Sequence, residues 1–129
     1  MGAMIVLGTL TLPGSERCVA YARRFVRDLV GEGHPAVDDA ELCAGELVTN
    51  AVVHTRSGEG GHVTIVVARD GDVLEIRVAD DGASGDLPHM RDEAFAENGR
   101  GIVIVAALAA DWGVEAERHG TTTWFRLHG

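Results

Sequence analysis

Residues 62–80 read HVTIVVARDGDVLEIRVAD, two runs rich in β-branched residues on either side of Asp70-Gly71. No other stretch constrains the fold as much, because Asp-Gly between alternating apolar runs specifies a tight hairpin. A two-residue turn over Asp70-Gly71 predicts that Arg69 pairs with Asp72. Val67 then faces Leu74, Ile65 faces Ile76 and Val63 faces Val78. All six lie on one side, while Thr64, Val66, Glu75 and Arg77 take the other, so the hairpin has a core face and an outer face. Continuing the series 74, 76, 78 brings Asp80 to the core side and turns Asp81 away. A carboxylate at the end of a buried face is costly unless something hydrogen-bonds it. Asp80 is therefore a candidate functional residue.

The rest of the chain supplies elements to cover that core face. Residues 4–12 read as a strand ended by Pro13-Gly14. Ser15 is the expected N-cap of a helix to Val30, with Val19, Ala22, Phe25, Val26, Leu29 and Val30 as its apolar stripe. A second helix is expected from about Pro35, a first-turn residue, to Thr55. Its stripe is Ala40, Cys43, Ala44, Leu47, Val48, Ala51 and Val52. Within it, Glu46, Asn50 and His54 recur every fourth residue and share one edge. That edge faces either water or something that needs a base and an oxygen ligand. His54, near the helix C-terminus, reads as structural.

Residues 82–98, GASGDLPHMRDEAFAEN, have no sustained period and predict a mobile loop. Gly99-Arg100-Gly101 then opens a helix over 101–110, apolar on all sides and so expected to be buried. Strands at 111–117 and 121–128, joined around His119-Gly120, complete a single domain over 1–129. The order predicts an α+β fold, a two-layer sandwich with a mixed, mostly antiparallel sheet covered on one face by helices.

Charge and residue usage remove several functions. The net charge of −9 disfavours direct nucleic-acid binding and docking on an anionic membrane. All 11 basic residues are arginine, so Schiff-base chemistry and a P-loop lysine are excluded. Cys18 and Cys43 form no CxxC pair and read as buried, reduced thiols. The six histidines form no HxxxH or HxH pair, so no histidine-built metal site is expected. The longest apolar run, 101–110, falls short of the ~18 residues of a membrane span, and no leader opens the chain. A soluble, cytoplasmic protein is expected.

Four short stretches then stand out together: E-L-V-T-N-A at 46–51, D-D-G at 80–82, G-R-G-I-V-I-V at 99–105 and G-T-T at 120–122. In this order they resemble the N box and the glycine boxes of the Bergerat (GHKL) ATP-binding fold. L-P-G-S at 12–15 and D-W-G-V at 111–114 are similar to the branch of small stand-alone anti-sigma-factor serine/threonine kinases. That resemblance implies ATP and magnesium as cofactors. Asn50 would be the magnesium ligand, since magnesium takes hard oxygen donors, and Glu46 the general base. Asp80 would accept a hydrogen bond from the adenine amine, and Gly82 would let the backbone approach the base. Gly99, Arg100 and Gly101 would meet the phosphates at a helix N-terminus, and Thr121 belongs to the last box. The first glycine box often continues D-x-G-x-G, whereas this chain reads D-D-G-A-S-G, with its second glycine at Gly85.

The implied activity is phosphorylation of an anti-anti-sigma (STAS-type) partner, with a sigma factor as a further partner and a homodimer left open. A non-catalytic module that senses ATP and binds a protein is the alternative.

Overall fold

A computed structural model describes residues 4–54, 61–81, 99–118 and 120–128. Its elements run β1 (Ile5–Pro13), α1 (Cys18–Val30), α2 (Val37–His54), β2 (His62–Asp70), β3 (Val73–Asp80), α3 (Gly99–Leu108), β4 (Asp111–Glu117) and β5 (Gly120–His128). The five strands form one sheet in the order β1-β2-β3-β5-β4. Every pairing among the described residues is antiparallel, in line with the mostly antiparallel sheet expected. The α+β class and the two layers are as the element order predicts.

The hairpin keeps its predicted faces but not its predicted register. Asp70 pairs with Val73, and Val67 with Ile76, so the turn is Gly71-Asp72 and the strands are offset by two residues. Gly71 has φ +59, as the first position of both primed turn types demands. Asp70-Gly71 as the turn would force the aspartate into that left-handed region, where a Cβ is penalised. A two-residue offset preserves the period of two, so Val63, Ile65, Val67, Leu74, Ile76 and Val78 are all buried. Each such aliphatic side chain contributes about 1.5–3 kcal/mol when fully buried.

α1 and α2 pack on this face through the stripes foreseen for them, with Ala22, Val26, Ala40, Cys43, Ala44, Leu47, Val48 and Ala51 in the core. Their starts differ from expectation. Ser15 does not cap α1: its carbonyl accepts the Cys18 N–H (2.9 Å) in a turn, and the N-cap is Arg17, without a side-chain bond. Pro35 lies before α2, in a turn where His34 Nδ1 accepts the Ala36 N–H (3.0 Å) and the His34 carbonyl accepts the Val37 N–H (3.1 Å). Arg27 joins the end of α1 to the start of α2. Its guanidinium bonds Glu32, Asp38 (3.0 Å) and Glu41 (3.2 Å), and the Glu32 and Asp38 bonds raise its pKa.

α3 departs furthest from its expected burial. It packs mainly on α2, and Val105 is fully buried, but Val103 is 65% exposed and Leu108 36%. An apolar sequence on all sides does not place a helix between two layers; α3 lies on the outer side of one. Its exit is fixed by the Ala110 N–H, which bonds the Arg126 carbonyl on β5 (2.8 Å).

On the outer face of the sheet Glu75 is buried and accepts from Arg77 Nε (3.1 Å) and Arg126 Nε (2.9 Å). Arg77 Nη1 reaches Glu115 on β4 (3.2 Å), and the Arg126 guanidinium lies 5.1 Å over the Trp124 ring. These pairs tie β3, β5 and β4 together on the face that no helix among the described residues covers.

Candidate functional site

The chain path returns α2 to the end of the sheet where Asp80 lies. Pro13 closes β1 opposite His62, and the Gly14 N–H bonds the Gly61 carbonyl (3.0 Å), so α1 departs from the His62 end. α2 runs back and brings Glu46 and Asn50 towards that end. Asn50 is 7% exposed, an amide buried beside Leu47 and Ala51. Glu46, one turn earlier, is half-buried and makes no hydrogen bond or ion pair among the described residues. Thr49 lies between them in sequence, but its hydroxyl donates back to the Gly45 carbonyl (2.8 Å). The shared edge of α2 is therefore not a fully solvated face.

Asp80 reaches the core side of β3, half-buried, as the alternation predicts. Directly opposite it on β5 is Thr121, 1% exposed, whose Oγ1 has no hydrogen-bond partner among the described residues. A buried hydroxyl without a partner costs free energy unless a bound group or water satisfies it. Thr121 and Asp80 thus place a donor-acceptor and an acceptor side by side at the end of the apolar face. That pairing fits the amine-and-ring-nitrogen edge of a purine, and Asn50 carries an amide oxygen of the kind a hard cation takes.

Two further residues shape this end, Gly120 and Asp81, which the sequence shows only as members of the G-T-T and D-D-G stretches. A Cβ on Gly120 would lie 1.9 Å from the Asp80 carbonyl oxygen, so only glycine lets β5 start this close to β3. Asp81 accepts the His62 backbone N–H at Oδ2 (2.6 Å). The correct register would have revealed that contact, since it puts His62 opposite Asp81; the expected one did not.

Gly99, Arg100 and Gly101 form the first turn of α3, where the leading N–H groups of a helix lack intrahelical partners. His54 is the last residue of α2. Gly82, Gly85 and the expected loop at 82–98 lie outside the described residues. Among the described residues no cluster of three His, Cys, Asp or Glu side chains could hold a metal ion, and no helix is long and apolar enough to cross a membrane.

Neither thiol is activated. Burial pushes Cys43 up to about 12, with the charges of Asp39 and Glu46 on the same helix adding to it. Burial also raises Cys18, partly offset by a backbone bond to Ser15.

Comparison with known proteins agrees with the fold. The family model of the histidine kinase-like ATPase domain matches residues 12–127. The serine-protein kinase RsbW of Listeria monocytogenes (serotype 4a, strain HCC23) is 33% identical over 89 residues, covering 66% of this chain and 57% of that kinase. RsbW of Listeria innocua gives the same identity and coverage. RsbW of Bacillus cereus (strain Q1) is 30% identical over 116 residues, covering 79% of this chain and 72% of the kinase. The chain thus spans little more than half the length of the Listeria relatives it matches. The chain belongs to the histidine kinase-like ATPase domain family.

Proposed function

We propose that this protein binds Mg·ATP at the Asp80 end of its sheet and acts as an anti-sigma-factor-type serine/threonine kinase on an anti-anti-sigma partner. The observation that carries the reading is the pairing of Asp80 with Thr121, whose buried hydroxyl lacks a partner among the described residues. Asp80 would accept from the adenine amine while Thr121 faces the same edge. Asn50 is the residue that would hold magnesium, which supplies positive charge to the phosphates when bound. Gly99, Arg100 and Gly101 would receive the phosphates at the start of α3.

Glu46 is suited to the chemistry because its carboxylate has no partner among the described residues. It would take the proton from a serine or threonine hydroxyl as that oxygen bonds the γ-phosphorus and ADP leaves with the bond pair. A sigma factor as a second partner, a homodimer and a cytoplasmic setting belong to the same reading. The RsbW relatives are named serine-protein kinases, and this supports the assignment of reaction type.

The experiment is to incubate the protein with γ-labelled ATP, magnesium and candidate anti-anti-sigma proteins. Label appearing on a serine or threonine of one partner is the expected result. Nucleotide-dependent binding of a partner without any label transfer would favour the ATP-sensing module.

A further inference from the structure

The carboxylate of Asp81 lies outside the assignments made above, yet it makes a specific contact. In the observed register residue pairs sum to 143, so His62 stands directly across from Asp81. The ladder between β2 and β3 ends at Thr64 and Ala79, two residues short of that position. There the Asp81 side chain accepts the His62 N–H at 2.6 Å. A side-chain acceptor thus stands at the first residue of β2 and braces the open end of the hairpin, away from its Gly71-Asp72 turn. From the opposite side Gly120 approaches so closely that a Cβ would sit 1.9 Å from the Asp80 oxygen and 3.3 Å from Asp81 Cα. The Asp80-Asp81 dipeptide is held between β2 and β5.

Asp81 directly follows Asp80, the last residue of β3, so tying Asp81 to β2 restrains the backbone that carries Asp80. We propose that Asp81 is a positioning residue for nucleotide recognition: its bond to the His62 N–H sets the strand end from which Asp80 meets the purine. This inference rests on the proposed nucleotide reading. It predicts an effect on base discrimination, because adenine offers Asp80 a donor amine where guanine offers a carbonyl.

The test measures Mg·ATP and Mg·GTP affinity by calorimetry for the wild type, Asp80→Ala, Asp81→Ala and Asp81→Asn, with amide exchange at His62 followed by NMR. Asp80→Ala should abolish the preference for ATP. Asp81→Ala should speed exchange at His62 and lower ATP affinity about threefold to tenfold, the worth of one modest hydrogen bond. GTP affinity should be unchanged, so the ATP/GTP ratio falls. Asp81→Asn keeps an oxygen acceptor and should restore both the ratio and the protection. Equal loss of ATP and GTP affinity in Asp81→Ala, or an unchanged ratio beside a collapsed one in Asp80→Ala, would overturn the positioning role. A ratio that Asp80→Ala leaves intact would instead overturn the adenine assignment on which it rests.

Discussion

A methyl group on Gly120 would lie 1.9 Å from the carbonyl oxygen of Asp80. The start of β5 and the end of β3 therefore meet at a distance that only glycine permits, at the point where Thr121 pairs with Asp80. The obstacle to a larger residue is backbone, which cannot swing aside as the tip of a side chain can.

Gly120→Ala should accordingly destabilise the fold by about 1–3 kcal/mol, as overpacking does, and should weaken nucleotide binding more than a global loss of stability explains. Gly33→Ala is the control, because a Cβ there meets nothing within 4 Å. Chemical denaturation of both variants checks the ranking. Gly120→Ala melting like the wild type would mean that β5 does not approach so closely.

Binding and chemistry should separate at α2. Glu46→Gln keeps the shape but cannot take a proton at neutral pH. ATP affinity should change little, while phosphoryl transfer falls by roughly a hundredfold to ten-thousandfold, the usual worth of a positioned base. Asn50→Ala removes the proposed magnesium ligand and should weaken Mg·ATP binding and transfer together. Single-turnover transfer and equilibrium affinity, measured on both variants, decide the assignment. Full transfer by Glu46→Gln would remove Glu46 as the base.

Cys43 sets an alkaline limit. Its folded-state pKa is pushed up to about 12, above the ordinary thiol value, chiefly by burial. The unfolded chain therefore loses this proton first as pH rises. Stability linked to Cys43 is fully present below the ordinary thiol pKa and is lost as pH climbs towards the folded value. Denaturation midpoints should fall between about pH 8.5 and 12, and Cys43→Ala should flatten that decline. An identical decline in the variant would assign it to other groups. At neutral pH Cys43 should resist thiol reagents until the protein unfolds.

The two-layer fold was legible because its main signals are periodic. Alternation at Val63, Ile65 and Val67 against Leu74, Ile76 and Val78 survives an offset of two residues, so the core face was right although the register was not. The register rested on one local choice, whether Asp70 or Gly71 takes the first turn position, and the positive φ of Gly71 settled it. The coverage of α3 was not legible, since Val103 and Val105 are alike in sequence and differ only in what packs on them. Asp80 was readable from the strand period. The contact of Asp81 with His62 depends on the register, and the closeness of Gly120 to Asp80 depends on how strands stack in space.

The most direct measurement is calorimetric titration of Mg·ATP into the wild type and into Asp80→Ala. The wild type should bind with magnesium dependence, and Asp80→Ala should lose about tenfold to a hundredfold in affinity, as expected for one charge-assisted hydrogen bond of about 1.5–3 kcal/mol. Equal affinity in the two proteins, or no magnesium-dependent binding by the wild type, would contradict a nucleotide site at the Asp80 end of the sheet.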